Sequence, residues 1–499
     1  MDKQNCYIDY LEWEVLDNKV VIQHLESQGN LYHFNDTYTV TIFRDDDYKL
    51  KGILEGQDAI NSDLLFPSIS KGEMTFGETI LGIGNDGFTY ILKGMIIDTY
   101  NVMPNIDDLS RSSFKANLSI ASITKSKKQV PQFNKVQYWY LCSKHDIPFP
   151  ATTQRTNNPQ FPKQRMGLDE ECSIEKMFIP GGTYQTSRDY LPISLSDKQI
   201  IVLSKVPQLY LPQQANGLCI ECRENFGGIP DDKEILAATE LLSFVIGTQM
   251  TLVGISYYKD HDFLCQISIS PSISNLQQKL QQVSEPPIDC HHYANYQTFI
   301  SAIFTLMPQY LQKREVLQLN YALAHYWIAK DAPIGVNLPI LSSALEAIAS
   351  ASLKDLTNDR QQSTYMPAKE YRNLIKDEVE KIKAKLEEKN VVYRQKILNK
   401  IDGAYNMGGN EKIDLLFDRF GIIIGPLEKE ALKARNLMAH GTMKTLDYER
   451  YKEIIRKSYA YRTLFHRVIL KILSYNGEYI DYYTYGYPSR NIDDPIPTE

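Results

Sequence analysis

The stretch PSISNLQQKLQQVSEPPIDC, residues 271–290, separates two parts of the chain that have different residue patterns. It is polar, rich in glutamine and ends in Pro286-Pro287, which is typical of a junction between domains. Short segments rich in β-branched and aromatic residues precede it, and long segments with helical periodicity follow it. The sequence therefore predicts an α+β protein. Its predicted parts are a β-rich N-terminal domain (1–270), a linker (271–290), an all-α helical bundle (291–475) and a Tyr-rich C-terminal tail (476–499).

The N-terminal domain is predicted to consist mainly of strands separated by Gly, Asn, Asp and Pro. The strand candidates are YTVTIFRD (38–45), YKLKGILEG (48–56), TYILKGMIID (89–98), FKANLSIASI (114–123), KVQYWYLC (135–142) and KQIIVLSKV (198–206). Residues 150–190 indicate long irregular connections. A helix is expected over 231–246, and a strand pair near 250–270. The segment GIGNDG (82–87) matches a dinucleotide-binding pattern, but strand-like sequence follows it, so a hairpin turn is favoured.

The C-terminal half is predicted to be helical throughout. The expected helices span 293–313, 314–330, 338–353, 368–388, 391–405, 411–420, 427–440 and 447–474. In the third of these, apolar residues recur at helical spacing and form a stripe that predicts a core-facing surface. In the seventh, Pro426 stands at the expected start and Gly441 follows the expected last turn. The C-terminal tail either packs on a neighbouring element or is loose.

Charge is distributed unevenly along the chain. The formal net charge is −7, but residues 291–471 contain 28 Lys and Arg against 20 Asp and Glu, a balance of +8. The remainder then has 26 basic and 41 acidic residues, a balance of −15. A basic region is compatible with RNA binding, because phosphate contacts depend on local positive charge. A solvated helical surface is the alternative explanation.

Cysteine content and the N-terminal sequence indicate a cytoplasmic protein. The seven cysteines are an odd number, and the N-terminus MDKQNCYIDYLEWEVLD does not have the pattern of a signal peptide. The most apolar window, residues 239–258, contains polar residues and two glycines. It predicts a helix end followed by a strand, with no membrane association.

Two cysteine-containing pairs are weak candidates for a zinc site. Cys142 and His145 form one pair, and Cys219 and Cys222 form the other. Together they supply four ligand types that zinc accepts. Both pairs lie in or beside strand-like sequence, where residues i and i+3 point to opposite faces. Buried free cysteines are therefore the competing interpretation, and no metal or other cofactor is expected.

The segment KEALKARNLMAHGT, residues 429–442, contains the strongest candidate for chemistry. Arg435 and His440 have the spacing R-x4-H, and the polar Asn436 follows the arginine. At 100° per residue, Arg435 and His440 lie about 140° apart around the helix axis. They meet only if the helix ends near His440, or if Arg and His of two chains meet across a symmetric interface. Arg462 and His466 form a near-match in the next helix.

In this context, the C-terminal half resembles a HEPN domain, a helical bundle whose R-x4-6-H motif forms a metal-independent ribonuclease site, usually at a dimer interface. The motif residues carry over as Arg435, Asn436 and His440. Glu346, in LPILSSALEAIAS, is similar to a supporting acidic residue of the ApeA-type subgroup. A β-rich domain followed by this bundle is similar to ApeA-type anti-phage defence proteins.

The resemblance implies an endoribonuclease that acts in abortive infection, with RNA (tRNA among the options) as substrate and a phage product as the trigger. Histidine titrates near neutral pH and suits proton transfer, and arginine presents a charged fork to phosphate oxygens. Two other interpretations stay open. One is a non-catalytic sensor or scaffold dimer, in which Arg435 pairs with Glu346 in the core. The other is a ligand- or zinc-binding module in the N-terminal half.

Overall fold

The computed structural model describes most of the chain. The described residues are 19–29, 34, 36–57, 77–104, 112–127, 132–144, 147, 149, 151–155, 163–165, 186–196, 198–206, 211, 215–259, 262–272, 276–289, 296–357, 364–439 and 448–498. Two compact units divide the chain. The first contains residues 1–235 and 246–285, and the second contains residues 236–245 and 286–499. The chain thus passes from one unit to the other at Glu285–Pro286, inside the predicted linker. The helix expected over 231–246 contributes its middle turns to the second unit.

The first unit is built from antiparallel strands. They are β1 (Val20–Ser27), β2 (Thr39–Arg44), β3 (Leu50–Gln57), β4 (Glu78–Gly84), β5 (Thr89–Pro104), β6 (Ser112–Ser119), β7 (Ser122–Ser126), β8 (Lys135–Cys142), β9 (Ala151–Arg155), β10 (Lys163–Arg165), β11 (Thr186–Ser194), β12 (Ile200–Val206), β13 (Asn216–Arg223), β14 (Thr251–Lys259) and β15 (Asp262–Ile269). The strands β9 and β10 and the first half of β11 lie where the sequence predicted irregular connections, so the prediction was wrong for these described segments of 150–190. The polar composition of 150–190 hid these strands, because pairing with a neighbouring strand supplies the backbone hydrogen bonds whatever the side chains are.

Six of these strands close into a barrel. The pairing runs β1–β2–β3–β6–β5–β4 and returns to β1. The alternation of apolar and polar residues explains why these strands form a barrel. In β6, Phe114, Ala116 and Leu118 are buried, and the residues between them are exposed. The buried side chains of all six strands form one apolar cluster. Closure leaves each barrel strand paired on both sides over much of its length.

The segment GIGNDG forms the turn between β4 and β5, which confirms the predicted hairpin. The Gly84 N–H donates to the Phe88 carbonyl over 2.9 Å, and Ile83 pairs with Thr89 in antiparallel register. A strand, not a helix, follows the glycines. The dinucleotide-binding geometry, which needs a helix N-terminus at this point, is therefore absent from this hairpin.

A second run of strands continues from the barrel through β7. Its order is β7–β15–β14–β8–β13–β12–β11–β9–β10. All eight residues of β8 are buried, and the Trp139 indole N–H donates to Ser256 Oγ over 2.9 Å. Two helices occur along this part of the chain: α1 (Asp232–Ile246) lies between β13 and β14, and α2 (Leu276–Leu280) follows β15. The end of α1 at Ile246 and the start of β14 at Thr251 confirm the predicted helix-to-strand change.

The second unit is helical, which confirms the α+β class. Its further helices are α3 (Tyr296–Lys313), α4 (Leu319–Asp331), α5 (Asn337–Thr357), α6 (Ala368–Leu374), α7 (Lys376–Glu388), α8 (Arg394–Asp402), α9 (Gly409–Phe420), α10 (Pro426–Ala439) and α11 (Tyr448–Ile472). Most bounds lie within a few residues of the predicted ones. The predicted helix 368–388 is interrupted at Ile375, and the predicted start at 314 shifts to Leu319, because Gln318 adopts a left-handed conformation with φ 54°.

Helix α5 is central to this unit, since α4, α9, α10 and α11 all pack against it. Its predicted apolar stripe is buried, from Leu338 through Leu345 to Ala349. Among the described residues, no helix has the length and apolar content to cross a lipid bilayer.

The C-terminal tail is packed, which decides between the two predicted alternatives. It forms the two-stranded sheet of β16 (Glu478–Ile480) and β17 (Ser489–Asn491). Tyr479, Tyr482 and Ile492 are buried. The Tyr482 hydroxyl donates to the Pro286 carbonyl over 2.7 Å. The tail is thus part of the helical unit.

Candidate active site

Helix α10 carries the Arg-Asn part of the motif. Pro426 occupies its first position, and Ala431 and Ala434 are buried, so small residues allow the neighbouring helices to approach closely. Position 435 lies four residues after Ala431 and seven after Glu428, on the same side of the helix as these buried residues. Position 436 lies on the adjacent side. The bounds of α10 therefore determine which side of the helix each of these two motif positions occupies.

The side chains of Arg435 and Asn436 and the whole of His440 and Gly441 lie outside the described residues. The described helix ends at Ala439, one residue before His440. The close approach of the motif side chains therefore stays a prediction. The described residues around α10 show which groups surround the candidate site.

Glu346 lies on α5, the helix against which both α9 and α10 pack. The Ser342 hydroxyl donates to Glu346 Oε1 over 3.3 Å. The Glu346 carboxyl group also lies against Gly409, the first residue of α9, so closely that a Cβ there would be 2.9 Å from the carboxyl carbon. A carboxylate beside a helix N-terminus is stabilised by the helix dipole. The sequence did not reveal this contact, because the predicted helix begins at residue 411 and residue spacing does not report which distant side chain lies against Gly409.

A groove of about 530 Å³ lies along α9 and α10. Both helices and their connection line it, through Asn410, Ile413, Asp414, Phe417, Asp418, Ile422, Ile424, Lys429, Leu432 and Lys433. On α10, the residues Lys429, Leu432 and Lys433 recur at helical spacing, and position 436 continues that face one turn later. Asn410, one of the lining residues, follows Gly409 in the chain, and Gly409 lies against the Glu346 carboxyl group.

The start of α10 is anchored by a buried ion pair. Glu428 and Arg467 of α11 are both fully buried, and the Arg467 guanidinium donates to the Glu428 carboxylate. Arg467 also donates to the carbonyls of Ile423 and Ile492, each over 3.1 Å. Burial raises the pKa of Glu428, and Arg467 and the backbone N–H of Gly425 oppose that rise. The pair joins α10, α11 and the tail at one point.

The tail contacts the connection before α10 as well. A Cβ at Gly425 would lie 3.0 Å from the Cβ of Pro495 and 3.1 Å from the Ile496 carbonyl oxygen. The Gly425 N–H donates to Glu428 Oε2 over 2.7 Å. A side chain at position 425 would therefore require the tail to shift by a few tenths of an ångström from the start of the motif helix.

The near-match Arg462 and His466 has a structural explanation. His466 is fully buried, and its Nε2 shares a hydrogen bond of 2.9 Å with the Tyr326 hydroxyl. Phe244, Tyr326 and Tyr482 surround its ring. Burial, together with the charges of Arg462 and Lys330, holds the pKa of His466 well below its usual range. A neutral histidine inside an aromatic cluster is a packing residue.

The three candidate zinc ligands that the structure describes do not converge. Cys219 and Cys222 lie in β13, three residues apart, so their side chains point to opposite faces. Cys142 pairs with Asn216 in the sheet, and its thiol donates to the Asn216 carbonyl over 3.5 Å. Burial raises the pKa of Cys142 and of Cys222. His145 lies outside the described residues, and the described ones contain no group of three or more metal-ligating side chains. The three cysteines are core residues of the sheet.

Comparisons do not assign the chain to a known group. Neither a protein-family model, nor a curated protein, nor a solved structure matches it. Its function is therefore inferred from the residues and their surroundings.

Proposed function

We propose that this protein is a metal-independent endoribonuclease of anti-phage defence, with its active site at the end of α10. The observation that carries the proposal is the packing of α10, to which Arg435 and Asn436 belong, against α5, to which Glu346 belongs. Two helices that pack together allow a supporting carboxylate to orient a motif arginine. The groove along α9 and α10 supplies a surface on the adjacent face of the same helix.

The residue types support one reaction. The 2′-hydroxyl of the RNA attacks the adjacent phosphorus, the bond from phosphorus to the 5′-oxygen breaks, and the leaving oxygen takes a proton. His440 would transfer the proton, and Arg435 would stabilise the charge on the phosphorane oxygens. The products are a 2′,3′-cyclic phosphate and a 5′-hydroxyl. DNA lacks the 2′-hydroxyl and would not be cut.

In the proposed setting, the nuclease acts in the cytoplasm as a homodimer and cuts cellular RNA after infection. The first unit would respond to a phage-derived trigger and release the nuclease. The charge distribution supports this division of roles, because the basic balance of residues 291–471 suits RNA and the acidic remainder repels it.

A non-catalytic scaffold is the second candidate, and a specific observation favours it. Position 435 shares the buried side of α10 with Glu428 and Ala431, and Glu346 already has a structural contact at the N-terminus of α9. In that case Arg435 and Glu346 would form a core ion pair, and His440 would only end the helix.

Cleavage assays separate the two candidates. The intact protein is incubated with RNA and with DNA in the presence of EDTA, and the RNA ends are identified. We expect 2′,3′-cyclic phosphate ends and uncut DNA. His440→Ala should abolish cleavage without unfolding the protein, whereas His325→Ala, on α4 of the same unit, should retain it.

Substitutions of the arginine sharpen the test. Arg435→Ala should reduce the rate by about two to three orders of magnitude, as expected for the loss of one oxyanion donor. Arg435→Lys should recover only part of it, because a point charge does not reproduce the guanidinium fork. Arg394→Ala on α8 is the control. A folded His440→Ala protein that cuts RNA as fast as the parent would mean that the nuclease site lies elsewhere, whereas an intact protein that cuts no RNA would support the scaffold.

A further inference from the structure

The first turns of α11 carry an ordered series of tyrosine and basic residues. Tyr448, Lys452, Arg456, Tyr459 and Arg462 follow one another at spacings of three or four residues. At 100° per residue, all five fall within about 120° of the helix circumference. We call this series the basic–aromatic stripe. It is separate from the groove along α9 and α10.

Cations and rings of the stripe are in contact. Lys452 Nζ lies 4.1 Å from the centroid of the Tyr448 ring, and the Arg462 guanidinium carbon lies 5.1 Å from that of Tyr459. Arg456 lies 5.4 Å from the ring of Tyr483, which the C-terminal tail contributes. Tyr448 is 70% exposed, so its ring surface is accessible to a ligand.

The charge of this segment is positive. Residues 448–462 contain five basic residues and two acidic ones, Glu449 and Glu453. The acids form ion pairs with Lys452 and Lys457 within the helix. Such exposed pairs contribute little and are screened by salt, so phosphate groups can replace the carboxylates at small cost.

We infer that the basic–aromatic stripe of α11 binds single-stranded RNA. Tyrosine rings provide faces on which unpaired bases stack, and the interleaved Lys and Arg contact the phosphates. The bases of a duplex are already stacked on each other, so a duplex uses only the charges. An acidic polypeptide such as poly-glutamate pairs with the cations but has no ring that stacks on the tyrosines.

The location of the stripe beside the motif helix gives it a role in the proposed cleavage of RNA. This part of the inference rests on the proposed function. Helix α11 packs against α10, the motif helix, and follows it directly in the chain. RNA held along the stripe would be bound by the same two-helix element that carries Arg435. The stripe therefore indicates that the substrate of the proposed nuclease is unpaired RNA.

The test measures RNA binding apart from cleavage. Full-length His440→Ala protein is titrated into a fluorescein-labelled, unstructured 12-nucleotide RNA, and Kd is obtained by fluorescence anisotropy at several salt concentrations. The test variant adds Tyr448→Ala and Lys452→Ala. The matched control instead adds Tyr393→Ala and Lys396→Ala, because Lys396 Nζ of α8 lies 5.1 Å from the ring of Tyr393, the residue just before that helix in the same unit. Both pairs are exposed, and thermal melts check that each variant is folded.

We expect the test variant to bind about ten-fold more weakly, as for the loss of one stacked base, and the control to bind within two-fold of the parent. The slope of log Kd against log salt concentration should fall by about 0.7 for each phosphate that the variant no longer neutralises. A twelve-base-pair duplex RNA and poly-glutamate should compete poorly. Equal binding by test and control variants, equal competition by poly-glutamate, or no RNA binding by the parent would overturn the inference. A wild-type protein that binds RNA but never cleaves it would instead contradict the proposed nuclease and leave the binding role of the stripe in place.

Discussion

At the scale of the residue, a substitution of Gly409 is the most direct test of the position of Glu346. A Cβ at position 409 would lie 2.9 Å from the Glu346 carboxyl carbon, and the end of a flexible side chain moves at little energetic cost. We therefore expect Gly409→Ala to change the free energy of unfolding by less than about 1 kcal/mol. If Glu346 orients Arg435, the displaced carboxylate should lower the cleavage rate at least ten-fold.

The neighbouring glycine is the control for this change. A Cβ at Gly408 would meet Glu411 Oε2 at 3.4 Å, which is ordinary contact. Gly408→Ala should therefore preserve the cleavage rate, measured with the same RNA under single-turnover conditions. Equal rates for the two alanine variants would show that the position of Glu346 does not matter for the reaction.

His466 predicts a dependence of stability on pH. Its pKa is held well below the usual value in the folded protein, whereas in the unfolded chain it titrates near about 6.5. Below that pH the unfolded state binds a proton that the folded state does not, so stability decreases as the pH falls. The contribution approaches about 1.4 kcal/mol per pH unit.

Urea unfolding at pH 7.5, 6.5 and 5.5 measures this effect. His466→Gln keeps a hydrogen-bonding group for the Tyr326 hydroxyl but does not titrate. We expect the variant to show a smaller loss of stability between pH 6.5 and 5.5 than the parent. An identical loss in both proteins would mean that other groups cause the dependence.

At the scale of the element, the position of α10 depends on the Glu428–Arg467 pair. Removing one charge of a buried pair leaves the other uncompensated, which costs about 3–5 kcal/mol. We expect Glu428→Gln to lower the free energy of unfolding by that amount, because Arg467 is fully buried. Cleavage should also fall at temperatures where the variant is still folded, since α10 loses its attachment to α11 and the tail.

A different ion pair, which joins α11 to the tail, shows by comparison how much burial matters for the cost of removing one charge. Lys471 Nζ lies 2.6 Å from Asp493 Oδ1, and the aspartate is 56% exposed. Asp493→Asn should cost less than about 1 kcal/mol, as exposed pairs do. Urea unfolding of both variants tests the contrast, and equal costs would contradict the role assigned to burial.

At the scale of the whole molecule, we expect the proposed nuclease to act as a dimer whose sites combine residues of both chains. Arg435 and His440 lie about 140° apart around an ideal helix, so a two-fold interface is an economical way to bring them together. We expect Arg435→Ala and His440→Ala proteins to be inactive alone and to complement each other when mixed. Equal mixing makes half of the dimers mixed, with one intact site each, which gives about a quarter of the parent activity.

Light scattering and cleavage assays on the same mixtures provide the measurement. The mixture should contain dimers, and dilution that separates the chains should remove the recovered activity. A mixture that stays inactive while its chains exchange freely would mean that Arg and His act within one chain.

The order of elements was accessible from the sequence alone. Short segments rich in β-branched and aromatic residues indicated strands such as β2, β3 and β8, although β8 is buried on both faces. An apolar stripe at helical spacing indicated α5, because burial of one face imposes that period on the residues, and Pro426 and Gly441 marked the expected ends of α10. The turn at GIGNDG followed from the turn preference of Asn-Asp-Gly. The motif residues and Glu346 could be selected from residue types, spacing and a resemblance, and their catalytic role remains a prediction.

Only the tertiary structure decided how distant segments meet. The closure of the barrel through β3, β5 and β6, the strands β9 to β11, the contact of Gly409 with Glu346 and the anchoring of α10 by Arg467 all join residues far apart in the chain. Residue periodicity reports the burial of a face, but not which partner buries it. The partner depends on the packing of all elements together, and this packing made the Tyr-rich tail a support for the motif helix.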